Sequence, residues 1–171
     1  LEAVLPGETA LAYVKRVTVL KLQAARAQLK ASRQVVHPIL CADTTVALNG
    51  EILGKPRSID DAKQLLTKLS GQTHEVLTSV AVGYWDAHDQ WLSLQRVSRS
   101  QVRFSSLSAR QIDRYVATEE PFGKAGGYGI QGVAALFIDC INGSYSGIMG
   151  LPAYETSQLL EAVGVELVVS P

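Results

Sequence analysis

The pattern of apolar and polar positions divides the chain into helices and strands. From Glu8 to Ala31 apolar residues return at helical spacing. With Val14 at the centre of the inward stripe, Leu11, Thr18, Lys21, Ala25 and Leu29 fall within about a third of a turn of it. A loop from Ser32 leads into a strand, where the apolar run Val35, Val36, Ile39 and Leu40 runs straight into Cys41-Ala42-Asp43-Thr44-Thr45-Val46. Asn49-Gly50, the strongest two-residue hairpin signal, turns the chain back through Glu51-Ile52-Leu53. Ser58 caps a helix with Asp60 and Asp61 in its first turn, an apolar face of Ile59, Ala62, Leu65, Leu66 and Leu69, and a stop at Gly71. His74 to Val82 alternates and then turns wholly apolar, as a strand entering a core does. Beyond a polar turn at Asp86–Gln90, Trp91 to Phe104 alternates again, so the two runs predict a long antiparallel hairpin. Ser108-x-x-Gln111 is a capping box for a helix with Ile112, Tyr115 and Val116 inward. Val133 to Ile141 reads as a buried strand, Asn142-Gly143 as a turn, Pro152 and Gly164 as brackets of a helix, and Val165 to Val169 as the last strand.

Composition narrows the function classes. At 171 residues the chain suits one well-filled domain, residues 1–171, and no repeat, low-complexity tract or linker divides it. Acidic and basic residues balance at 16 each, which argues against non-specific nucleic-acid binding but leaves room for a small anion held by a local cluster. No apolar run approaches the ~18–20 residues of a membrane span, and the start shows no signal-peptide pattern, so a cytoplasmic, membrane-free protein is expected. Cys41 and Cys140 lie in apolar segments and read as two buried free thiols. His37, His74 and His88 are too scattered for a zinc site.

Three lysines and one carboxylate carry the chemical interest. Asp43 ends an apolar run, and Lys55 is locked between Gly54 and Pro56 just past the hairpin, so the two are expected close together at one end of a sheet. Asp43 can cap a turn, or it can bind a divalent cation and polarise water. Lys21 sits in the middle of an apolar stripe, either snorkelling to water or aimed inward at an anion. Lys124 stands in a run crowded with Gly123, Gly126, Gly127, Gly129 and Gly132, beside Gln131. Gly127-x-Gly129-x-x-Gly132 matches the dinucleotide fingerprint in letters only, since no strand precedes it and a strand rather than a helix follows. What remains is a loop whose backbone can approach a ligand and whose Gln131 can read a base edge, or else a plain structural turn. Three lysines that an anion could gather suit a triphosphate with magnesium better than an apolar substrate.

These residues fall into five motifs: Ala42-Asp43-Thr44-Thr45-Val46, Gly54-Lys55-Pro56, Leu69-Ser70-Gly71-x-x-His74-x-Val76-x-Thr78, Lys124 through Gly132, and Gly143 through Pro152. Together, and in this order, they resemble the Maf family of septum-formation-inhibitor-like nucleotide pyrophosphatases over essentially the whole chain. The resemblance implies a house-cleaning hydrolase that converts nucleoside triphosphates to monophosphate and pyrophosphate with a divalent metal, Mg2+ or Mn2+. The Ala-Gly-Gly-Tyr-Gly-Ile-Gln form of the loop is similar to the branch acting on dTTP and UTP. By motif, Asp43 matches the catalytic proton acceptor, Thr44 and Gln131 the specificity positions, Lys21 and Lys55 phosphate-side lysines, and Glu2, with Asp43, the metal-binding acids. A cytoplasmic homodimer is implied as well. Family members begin with a strand and a Ser-x-Ser-Pro-Arg-Arg loop, a motif this sequence does not contain, so the missing phosphate-binding partner is expected upstream of Leu1.

Pattern and resemblance together predict an α/β fold, a long mixed and strongly twisted sheet flanked by helices with a cleft between two lobes. Two other functions compete. One is a nucleotide-binding regulator of cell division that senses without hydrolysing. The other is a purine-nucleotide pyrophosphatase of inosine-triphosphate type, which the order of base preference would distinguish.

Overall fold

The computed structural model describes residues 2–32 and 37–167, with side chains from 30 to 36 left aside. The first helix, α1, is Ala10–Ser32, and it ends where the helical spacing of the sequence ends. Five strands follow: β1 Ile39–Leu48, β2 Glu51–Leu53, β3 Thr73–Trp85, β4 Trp91–Phe104 and β5 Ile138–Asn142. They form one sheet in the order β2-β1-β3-β4-β5. Every pairing in it is antiparallel, so the described sheet is not the mixed one the sequence suggested. Of the strand expected over 165–169, residues 165–167 join no ladder and the rest lie outside the described residues. Helices α2 (Ile59–Leu69), α3 (Ala109–Val116), α4 (Tyr145–Met149) and α5 (Ala153–Ala162) complete the fold.

Local chemistry forms these elements where the sequence placed them. Asn49 and Gly50 both take positive φ, 51° and 85°, as a hairpin turn matching strand twist requires. Ser58 caps α2 by accepting from the Asp61 amide, and Ser108 and Gln111 form the reciprocal capping box of α3. The short α4 has no counterpart in the sequence reading, because five residues carry too little periodicity.

The two faces of the sheet are covered differently. Alternation puts Leu77 and Ala47 on one face, where they bury Tyr13, Val14 and Val17 of α1. The other face carries the largest core, in which Val46, Val76, Val102 and Phe104 pack against Leu66, Leu69 and Tyr115 of α2 and α3 and Tyr128 of the glycine loop. Farther along that face Val80 and Val82 meet Leu159 of α5. Within α1 the inward stripe holds at Val14 and Thr18, both fully buried, but not at Leu11, which is exposed near the helix start.

The segment expected as one buried strand, Val133–Ile141, is instead a tight 3-10 turn over Val133–Phe137 followed by β5. Its first amides are diverted from any ladder: Val133 and Ala134 donate to the carboxylate of Glu120 at 2.8 and 3.3 Å. Leu136 consequently points to solvent, 82% exposed. Cys140 on β5 is exposed rather than buried, and Cys41 is half-buried; both are free thiols.

Candidate active site

The short β2 pairs with β1 only from Val46 to Leu48, and among the described residues no strand pairs with that edge of β1 from Thr45 back. A cleft of about 390 Å³ lies beside this part of β1 and is lined from both faces of the sheet. Neighbouring residues of β1 point to opposite faces, which puts Asp43 on the α1 side and Thr44 on the glycine-loop side of one cleft.

On the α1 side four charges meet. Lys21 points inward from α1, its Nζ 2.5 Å from Asp43 Oδ1 and 3.1 Å from Glu2 Oε1. Lys55 approaches the other oxygen of Glu2 at 3.2 Å. The expected closeness of Asp43 and Lys55 is therefore indirect: both line the cleft, and Glu2 and Lys21 stand between them. Glu2 is held there by its own segment. Tyr13 donates to its carbonyl at 3.1 Å, and Arg16 donates to Ala3 and grips Glu8 in a two-pronged pair at 2.6 and 2.8 Å. That guanidinium drops the Glu8 carboxyl to about 2.

The two acids of the cluster differ. Burial holds the Asp43 carboxyl above the ordinary aspartate value, outweighing the pull of Lys21. The hydrogen bonds from Lys21 and Lys55 bring Glu2 below its ordinary value. Burial works against the charge on Lys21, but Asp43 and Glu2 outweigh it and raise its pKa. No group of three or more His, Cys, Asp or Glu among the described residues is arranged for a metal. The carboxylates of Asp43 and Glu2 nevertheless converge on one cationic point, where the Lys21 ammonium now sits. Two convergent acids suit a magnesium-like ion, which typically takes one or two carboxylates and fills the remaining positions with phosphate and water oxygens.

On the other side the contacts are neutral. Thr44 and Thr78 face each other in register across β1 and β3, their hydroxyl oxygens 2.8 Å apart. Thr78 also donates to the carbonyl of Gly147 at 2.6 Å. Gly147 lets α4 come this close, since a Cβ there would lie 2.7 Å from Ser98 Oγ. The glycine loop lies over this face. Its Gly126 has a φ of 70°, and a Cβ would meet Val46 at 3.0 Å. The loop is joined to the Lys55 turn by the Gly126 amide, which donates to Gly54 at 3.0 Å. Gln131 and Lys124 line the cleft, but the Lys124 ammonium donates to the Glu120 carbonyl at 2.7 Å and so braces the loop. Beneath the loop, His74 is buried and hydrogen-bonded to the Tyr128 hydroxyl at 2.7 Å.

The six residues matched by motif, Glu2, Lys21, Asp43, Thr44, Lys55 and Gln131, thus gather around one cleft. Ile148, Met149 and Gly150, inside the Gly143–Pro152 motif, line the cleft as well, though none has an ionisable group that would mark it as a site residue. Thr78 falls within the third motif but has no role assigned from the sequence, and Glu120 falls outside all five, because their partners lie on other elements and depend on a register that the sequence does not print.

A family model for Maf-like proteins matches residues 2–163. The chain belongs to the Maf family. Relatives include a protein named dTTP/UTP pyrophosphatase from Burkholderia orbicola, 57% identical over 165 residues, which make up 96% of this chain and 77% of the relative. Proteins of the same name from Albidiferax ferrireducens and Polaromonas sp. are 53% and 52% identical over 167 residues, 98% of this chain and 81% and 80% of theirs. The family resemblance carried by the five short motifs therefore extends over nearly the full chain.

Proposed function

We propose that this Maf protein is a nucleoside triphosphate pyrophosphatase that hydrolyses dTTP and UTP to the monophosphate and pyrophosphate, cleaning nucleotide pools. One observation carries the reading: a half-buried carboxylate, Asp43, and two lysines share a cleft with a glycine loop bearing Gln131. The names of relatives at 52–57% identity support the same substrate class.

The steps follow from the residues. Lys55 and Lys21 attract the triphosphate, and its oxygens take over the role that Glu2 plays in the free protein. Asp43, half-buried and with its carboxyl raised by that burial, accepts a proton from the water that attacks the α-phosphorus. The bond to the β-phosphate oxygen breaks, and the lysines stabilise the charge that collects on pyrophosphate. Asp43 and Glu2 would hold the divalent cation, Mg2+ or Mn2+, which supplies further neutralisation of phosphate charge. Thr44 and Gln131 read the base edge. The reading places the enzyme in the cytoplasm with its nucleotide pools; no described helix is long and apolar enough to cross a membrane. A homodimer, expected from the family resemblance, is tested by light scattering on the eluting protein.

A nucleotide panel with pyrophosphate release as readout tests the function. Strongest turnover of dTTP and UTP is expected. Preference for purine triphosphates would overturn the substrate class, and tight nucleotide binding without release would favour the regulator that senses.

A further inference from the structure

The chain of hydroxyls on the neutral side of the cleft has only one possible direction. The Gly147 carbonyl can only accept, and it accepts from the Thr78 hydroxyl at 2.6 Å and from the Gly150 amide at 3.1 Å. A hydroxyl carries a single hydrogen. Thr78 has committed its hydrogen to Gly147, so the 2.8 Å bond between the two threonine oxygens runs from Thr44 to Thr78. Thr78 is 1% exposed, and solvent offers it no alternative. Thr44 has then directed its only hydrogen into the protein, and what it shows the cleft is lone pairs. Gly150 crowds the same oxygen, since a Cβ there would lie 3.4 Å from Thr44 Oγ1.

We propose that Thr78 is a positioning residue that holds Thr44 as an acceptor toward the cleft, so that the site selects bases with an imide N–H, uracil and thymine, over cytosine. This rests on the pyrophosphatase reading and deepens it. Uracil and thymine present N3–H, which Thr44 can accept. Cytosine presents a bare N3, which would face the Thr44 lone pairs with no proton between them. Gln131 cannot make this distinction unaided, because its amide offers both a donor and an acceptor and can turn to suit either base. The selectivity comes from a carbonyl on α4 through two threonines on adjacent strands.

The test compares kcat/KM for UTP, CTP and N3-methyl-UTP in the wild type, Thr78→Val and Thr78→Ser. The wild type should favour UTP over CTP by at least about a hundredfold, as sites built around a substrate N–H do. Thr78→Val leaves the Gly147 carbonyl its bond from Gly150 and frees the Thr44 hydrogen to turn toward cytosine N3. The UTP:CTP ratio should fall about tenfold or more, and Thr78→Ser should restore it. A purely structural role would depress both nucleotides together and leave the ratio intact, which would overturn the proposal. So would a wild type that turns over CTP as well as UTP. If Thr78→Val does not fold, the wild type decides alone, because equal turnover of UTP and N3-methyl-UTP refutes an acceptor at Thr44. Should no nucleotide yield pyrophosphate, the hydrolytic reading fails separately. Calorimetric binding of UTP against CTP in the same variants then judges the relay, with unchanged selectivity refuting it.

Discussion

Asp43 and Thr44 are neighbours in the chain, yet they work in opposite environments. The α1 side of β1 gathers four formal charges that sum to zero, Lys21 and Lys55 against Asp43 and Glu2. The glycine-loop side has hydroxyls, a carbonyl and a buried neutral histidine. Charged groups suit the phosphates and the reacting water, whereas directed neutral bonds suit a base. One strand serves both, because its side chains alternate. If the division is real, damage on one side should spare the function of the other. The largest effect is expected from Asp43→Asn, which keeps the shape but cannot take a proton. Its kcat should drop by about 10²–10⁴-fold, while UTP continues to protect the protein in a thermal-shift assay better than CTP does. A variant that kept most of its pyrophosphate release would remove Asp43 from the mechanism.

The neutral side is vulnerable to acid rather than to loss of charge. Burial lowers the His74 pKa from 6.5 to about 4. Above pH 6.5 both folded and unfolded chains hold it neutral and it contributes nothing. As pH falls from 6.5 toward 4 the unfolded chain takes up a proton that the folded core refuses, so stability falls with pH through that window. The loss is complete below pH 4, at roughly 3 kcal/mol. Urea unfolding between pH 7 and pH 4.5 should show this slope, and His74→Gln should flatten it. An equal slope in both proteins would mean that the acid sensitivity comes from carboxylates instead.

Legibility divides along the same line. The charged side was readable because its members are chemically unusual where they stand: a lysine within the apolar stripe of α1, and an acid at the end of an apolar run. Even there, the direct Asp43–Lys55 pair expected from the hairpin became a chain through Glu2, since β2 is too short to bring Lys55 alongside. The neutral side was harder. Thr78 contacts Thr44 from 34 positions away, and only strand register makes them neighbours. Val133 to Phe137 has the composition of a strand, but Glu120 captures its leading amides, a long-range bond that local propensity does not contain.

The Glu120 carboxylate closes the glycine loop like a clasp, accepting from Tyr115 at 2.8 Å as well as from the two amides. Glu120→Gln replaces one accepting oxygen with an NH2 group facing donors, at a cost of about 1–3 kcal/mol in chemical unfolding. Because the loop carries Gln131 and not Asp43, KM should rise more than kcat falls. A kcat defect with KM unchanged would contradict the separation of base reading from chemistry.

The smallest stability effect should come from Lys55. Lys55 and Glu2 are half-exposed, and ion pairs of that kind contribute about 0–1 kcal/mol. Lys55→Met should therefore leave the urea midpoint nearly unchanged. If Lys55 serves the phosphates, the same substitution should raise KM for UTP and flatten the dependence of KM on salt, because one screened attraction has been removed. The UTP:CTP ratio should hold, since the base lies on the opposite side of β1. A Lys55→Met protein that relaxed base selection while keeping its salt dependence would show that the two sides of the strand do not divide the work.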